Sequence, residues 1–208
     1  MCGILGYYGY KPDVFIKKTS LDTLSHRGAD SFGEISGDNY FLGHTRLSIL
    51  DLTENGKQPM ISKDGKFGVI YNGEIYNHID LRKEFLNHID FTSTSDTETL
   101  LYGLIEFGVE FLDKINGIFA FSFYDFLTKD FIIARDQFGV KPLYYHLDES
   151  EICFSSELKA ILPFINNLSI NKSTIKNHLN FLWSPGESTM INEVKKLLPG
   201  HFIIGNSE

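Results

Sequence analysis

The 208-residue sequence predicts an α+β fold in which two antiparallel sheets pack together with helices outside them. Three observations carry this reading. Short strand-like runs recur from the N-terminus to Phe154, turns rich in glycine or acidic residues separate them, and two helical patterns lie between the two groups of strands. Connections this short suit antiparallel pairing, because a parallel pair needs a crossover of about a dozen residues or more.

The elements follow in order. Residues 2–8 are apolar and predict a buried strand almost at the chain terminus, where most chains fray. Residues 13–24, with Val14, Phe15, Leu21 and Leu24, predict a helix that stops before Gly28. Strands at 31–35, 39–47 and 68–71 make the first sheet. Helices at 79–86 and 96–107 come next, the second with Leu100, Leu101, Leu104 and Ile105 on one face and Ser95 or Asp96 as its cap. Strands at 117–124, 131–134, 143–146 and 152–154, broken by turns at 125–129 and 148–151, predict a second sheet facing the first. Periodicity by itself supports mixed α and antiparallel β; two facing sheets with helices outside make a four-layer αββα sandwich. After Pro163 the pattern weakens to a helix at 173–181, the turns SPGES and LPGHF, and a last strand at 201–204. The polar GNSE that follows reads as a linker, and residues 1–208 as one domain of a longer protein.

Composition narrows the class of function. With 42% hydrophobic and 22% charged residues the chain can bury a substantial core. Its net charge of -8, with the basic residues scattered, argues against nucleic acid or an anionic membrane as partner and favours a small soluble one. No apolar run of about 18 residues and no secretory leader pattern is present, so a cytoplasmic location is expected. Cys2 and Cys153 are the only cysteines and no His/Cys cluster has ligand spacing, which predicts reduced thiols and no metal site.

Chemistry concentrates at Cys2. A residue as small as cysteine at position two permits removal of Met1, leaving a free α-amine beside the thiol. Such an amine titrates at about 7.7 to 8.0 and its thiol neighbour at about 8.5, so one residue supplies both general base and nucleophile. None of the seven histidines forms a clear Cys/His/Asn pattern that would offer another base. Cys153, among apolar neighbours, is expected to be an inert buried thiol.

The strings MCGILGYYG, HRGAD, GHTRLSILD, QPM, NGEIYNH, SDTE, NGIFAFSFYD, ARDQFGVKPLYY and FSSELKAI occur in that order and cover nearly the whole chain up to LPGHF. Together they closely resemble the N-terminal glutaminase domain of glutamine-dependent asparagine synthetases, which are class II glutamine amidotransferases of the N-terminal nucleophile hydrolase type. The departures are small: Ala29 stands where that family usually has proline, and the SGGxDS nucleotide loop of its synthetase domain is absent.

The resemblance implies the αββα sandwich, removal of Met1, and hydrolysis of L-glutamine to glutamate and ammonia. It implies Cys2 as nucleophile and an oxyanion hole from the Asn72 side-chain amide and the Gly73 N–H. It further implies Arg46 on the α-carboxylate, Asp96 on the α-ammonium with Glu74 close by, and Leu47, Ile49 and Leu50 lining the substrate site. No metal or organic cofactor is expected for this domain; ATP and magnesium belong to a C-terminal synthetase domain in the same chain, with a homodimer as a further expectation. Alternatives are an amidotransferase of surface-polysaccharide synthesis with the same glutaminase chemistry, and a catalytically silent regulatory module. His26, Arg27 and Asp30 are read as fixing a loop around the N-terminus, Arg135 and Asp136 as a buried pair, and residues 118–123 as core.

Overall fold

A computed structural model describes residues 1–9, 14–48 and 50–207. Its strands are β1 (Gly3–Tyr8), β2 (Ser31–Ser36), β3 (Tyr40–Arg46), β4 (Met60–Ile61), β5 (Phe67–Ile75), β6 (Gly117–Asp125), β7 (Asp130–Arg135), β8 (Tyr144–Leu147), β9 (Ile152–Ser155), β10 (Lys195–Lys196) and β11 (Phe202–Asn206). The α-helices are α1 (Val14–Asp22), α2 (His78–Phe85), α3 (Asp96–Phe107), α4 (Leu158–Ile161) and α5 (Lys172–Phe181). One sheet has the order β10-β8-β9-β1-β3-β2 and the other β11-β7-β6-β5-β4, and every pairing within them is antiparallel.

Period-2 alternation builds the layers. Ile4, Tyr8, Leu42 and Phe154 from the first sheet meet Ile70, Ala120, Tyr124, Phe131 and Ile133 from the second, forming the inner core. The opposite faces carry Leu5, Tyr7 and Phe41 toward Leu21, Leu24, Ala160 and Ile161. Likewise Val69, Tyr71, Phe119 and Phe121 pack against Leu100, Leu101, Leu104 and Leu81. The result is the four-layer αββα sandwich. Among the described residues no helix is long and apolar enough to cross a membrane.

Several sequence readings need correction. The sheets do not divide the chain into an early and a late half: β5 pairs with β6 over nine residues, from Phe67↔Asp125 to Ile75↔Gly117, whereas β9 pairs with β1. Alternation fixes which face of a strand is buried but carries no information on its neighbour. Within α1, Val14 and Phe15 are 72% and 75% exposed while Lys17, Ser20 and Leu21 face inward, so two of the apolar residues that suggested the helix point away from the core. Asp13 lies outside the described residues.

The polar tail is not a linker up to Ser207. Gly205 and Asn206 continue the β11–β7 ladder opposite Phe131 and Asp130, and the buried Ser207 hydroxyl lies 2.8 Å from that of Tyr124. Arg135 and Asp136 bind backbone groups rather than each other, because each has several fixed peptide partners within reach. The short strands β4 and β10 and the one-turn helix α4 escaped the sequence reading; two- and four-residue elements are too short to show a period.

Candidate active site

β1 places Cys2 at its leading end, where β3 and β5 also present their ends of the inter-sheet face. The alternation that buries Leu42 in the inner core also points His44 and Arg46 there, and that of Ile70 does the same for Asn72. Cys2, Arg46, Leu47, Leu50, Asn72, Gly73, Glu74 and Asp96 line one pocket. Ile49, also expected there, lies outside the described residues. Gln58, Tyr71, Ser95, Thr97, Met1 and Lys141 join the lining and were not read from the sequence as substrate-site residues.

The Cys2 thiol sits against the backbone of Leu47, whose N–H donates to Sγ at 3.4 Å and whose carbonyl accepts from it at 3.6 Å. The Cys2 carbonyl accepts from Arg27 Nε at 3.0 Å, and Arg27 is anchored in turn by Glu157 at 3.0 Å. Asp30 accepts from Ser48 N–H at 2.7 Å. HRGAD thus holds both the nucleophile segment and the loop after β3. Burial pushes the Cys2 thiol above its ordinary pKa, opposed by the Leu47 N–H, the terminal amine, Arg46 and Lys141. While Met1 is attached the nitrogen of Cys2 is an amide and cannot act as a base.

Asn72 and Gly73 lie within β5, opposite Ala120 and Phe119, not in a hairpin turn. Asn72 is 1% exposed, and its Nδ2 has no hydrogen-bond partner. Buried amide donors are nearly always satisfied, so an orphan beside a thiol, in a pocket, is poised for a partner that arrives with a ligand. At Gly73 a Cβ would stand 2.4 Å from the Ile118 carbonyl oxygen, which excludes any side chain there.

The two charges expected to grip an amino acid both line the pocket. Arg46 donates to the Thr53 carbonyl at 3.1 Å and to that of Asp51, and so also braces the loop after β3. Asp96, at the first position of α3 behind the cap Ser95, accepts from the Tyr71 hydroxyl at 2.7 Å and from the Ile75 N–H at 2.9 Å through one oxygen. Gln58 accepts from Tyr71 N–H at 2.6 Å and donates to Thr97 at 3.3 Å, tying β5 to α3.

His44 is fully buried; its Nε2 lies 3.2 Å from the Tyr71 carbonyl and its Nδ1 has no partner. The ring is therefore neutral, with Nε2–H donating. Burial, reinforced by the Arg46 charge, lowers its pKa from 6.5 to about 3. Below pH 6.5 the unfolded chain gains a proton that the folded one refuses, so stability falls as pH falls between those values. Between pH 7 and pH 5 the expected loss from this residue is about 2 kcal/mol. Urea titrations should show the difference between the native protein and His44→Gln narrowing by that amount on acidification. His78, also depressed by burial, titrates in both proteins and leaves the difference intact.

Comparison with known proteins places this geometry. A family model described as a glutamine amidotransferase domain matches residues 1–208. Asparagine synthetase [glutamine-hydrolyzing] 1 of Bacillus subtilis is 36% identical over 96% of this chain and 33% of its own length. Asparagine synthetase B [glutamine-hydrolyzing] of Escherichia coli is 40% identical over 78% of this chain and 30% of its own. This chain thus spans about a third of the length of the curated relatives it matches. Among solved structures, the glutamine phosphoribosylpyrophosphate amidotransferase of B. subtilis superposes with a TM-score of 0.72 over 99% of this chain and 47% of that one, at 19% identity, a likeness of fold.

Proposed function

The chain belongs to the glutamine amidotransferase domain family and is an enzyme domain, and from that premise we propose that its Cys2 pocket hydrolyses L-glutamine to glutamate and ammonia. The observation that carries the site assignment is the orphaned Asn72 amide beside Cys2, a hydrogen-bond donor held ready in a pocket that also contains a guanidinium and a carboxylate.

With Met1 removed, the Cys2 amine takes the thiol proton and sulfur attacks the side-chain carbonyl carbon of glutamine. The electron pair of the C=O bond moves to oxygen, which the Asn72 Nδ2 and the Gly73 N–H stabilise. Collapse breaks the C–N bond as the aminium proton passes to the leaving nitrogen. Ammonia departs, and water, activated by the same amine, hydrolyses the thioester and frees glutamate. Arg46 and Asp96 hold the α-carboxylate and α-ammonium, and Leu47, Leu50 and Glu74 complete the walls.

The ammonia is passed, on this reading, to an ATP- and magnesium-dependent synthetase domain that amidates aspartate in the cytoplasm, in a protein that pairs as a homodimer. No residues of this chain form the nucleotide loop for that second step. Supplied with glutamine, aspartate and MgATP, the 208-residue chain should yield glutamate without asparagine. Absence of glutamate from Met1-free protein would overturn the proposal.

Recognition has its own test. Arg46→Ala should lower kcat/KM for glutamine by tens-fold or more, equivalent to about 2 to 5 kcal/mol for a desolvated charge contact, and affect a simple aliphatic amide far less. Equal losses on both substrates would mean that Arg46 serves only to brace the Asp51 and Thr53 carbonyls.

A further inference from the structure

The ARDQFGVK stretch ends in a cation, Lys141, that the proposed mechanism has not used. Arg135 donates to the carbonyls of Gly139 at 2.7 Å, Lys141 at 2.7 Å and Leu197 at 2.6 Å. Asp136, wholly buried, accepts from the N–H groups of Phe119 at 3.2 Å, Phe138 at 3.0 Å, Val140 at 3.0 Å and Lys141 at 3.1 Å. Gly139, at φ +63°, turns the chain between these anchors. Lys141 is therefore pinned at both its own N–H and its own carbonyl, and it lines the pocket that holds Cys2 and Asn72. Among the described residues its ammonium has no hydrogen-bond or ion-pair partner.

The other charged groups around the thiol leave a gap for such a cation. Arg46, from β3, is occupied by the Asp51 and Thr53 carbonyls and faces the substrate carboxylate. Arg27 is held by Glu157 and the Cys2 carbonyl. The terminal amine is positive only from the moment it takes the thiol proton until it passes that proton to the leaving nitrogen, whereas a lysine keeps its charge throughout. Glu74, from β5, and Asp96, from α3, line the same pocket with negative charge and oppose the thiolate. Burial disfavours that anion as well.

We propose that Lys141 is the electrostatic partner of the Cys2 sulfur, favouring the thiolate before attack and the negative charge that builds as the tetrahedral intermediate forms. This rests on the reading of Cys2 as nucleophile. Lys141 keeps its proton throughout: the thiol proton goes to the terminal amine and from there to the leaving ammonia. The Arg135 and Asp136 anchors are positioning residues that act through it.

The test is the pH profile of Cys2 alkylation by iodoacetamide, read by mass on the Cys2 peptide of Met1-free protein, for the native chain, Lys141→Met, Lys141→Gln and Lys141→Arg. The neutral variants should move the thiol titration upward by about half to one pH unit, slowing alkylation at neutral pH about three- to tenfold. Turnover of glutamine should fall by a similar factor with KM within about twofold, and Lys141→Arg should restore both. An unchanged alkylation profile with a raised KM would assign Lys141 to substrate binding and overturn the proposal. So would failure of Arg to restore the profile, or no effect at all. Because alkylation needs no turnover, inactivity of the native chain toward glutamine would sink the glutaminase reading while leaving this comparison readable.

Discussion

Cys2→Ala abolishes glutamine hydrolysis, an expected fall in kcat on the order of ten-thousandfold or more, while the midpoint of thermal unfolding moves by no more than a few degrees. The chemical half of this expectation follows from the pocket's inventory. Cys153 is 1% exposed within β9, opposite Tyr7 of β1, with its thiol pushed well above the ordinary range by burial, and cannot substitute. The Ser95 hydroxyl is engaged in capping α3, where it accepts from Thr97 N–H. The stability half follows from position: Cys2 precedes β1, is only partly buried, and its side chain makes two long contacts to one backbone neighbour. Intact mass belongs in the same experiment, since active protein should lack Met1. Active protein that retains Met1, or near-native turnover by the alanine variant, would end the nucleophile assignment.

Asn72→Ala lowers kcat about a hundred- to a thousandfold and leaves KM for glutamine within a few-fold, because the oxygen it serves carries its charge only in the tetrahedral state. The stability expectation separates this from a structural role. Removing one partner of a satisfied buried hydrogen bond typically costs about 1 to 3 kcal/mol, but Asn72 Nδ2 has no partner to strand. The variant should therefore be nearly as stable as the native protein in urea titration, losing only the packing of a short side chain. A large loss of stability with an equal fall in kcat would make Asn72 a scaffold residue. Gly73→Ala would not serve as a control, since the 2.4 Å approach of its Cβ to the Ile118 oxygen disturbs the β5–β6 ladder itself.

Much of the site was legible because chemistry and local sequence coincide there. Cys2 announces itself by its place after Met1, α3 by its apolar period and its serine cap, and β1, β6 and β7 by apolar runs between turns. The NG pair was less transparent: alone it reads as a hairpin turn, and only the flanking EIYNH pointed elsewhere. In the fold it is strand, because β5 continues through it to Ile75 in register with β6. Lys141 was hidden for the opposite reason. It lies inside the ARDQFGVKPLYY string, where nothing local marks it as a site residue, and its place in the Cys2 pocket comes with the hydrogen bonds that Arg135 and Asp136 make to its backbone.

Residue type and period, being local properties of the chain, by themselves determined the longer elements and the mixed α and antiparallel β class, while the αββα sandwich and the roles expected of Cys2, Arg46, Asn72, Gly73 and Asp96 came through the resemblance to a family. Only the tertiary structure decided that β5 sits beside β6 and β9 beside β1, that the Asn72 amide has no partner of its own, and that Lys141 lines the pocket of the thiol. Those are consequences of contacts between residues far apart in the chain: alternation tells a strand which face to bury but not which neighbour to choose, and a hydrogen bond left unmade is visible only once every other group has found its place.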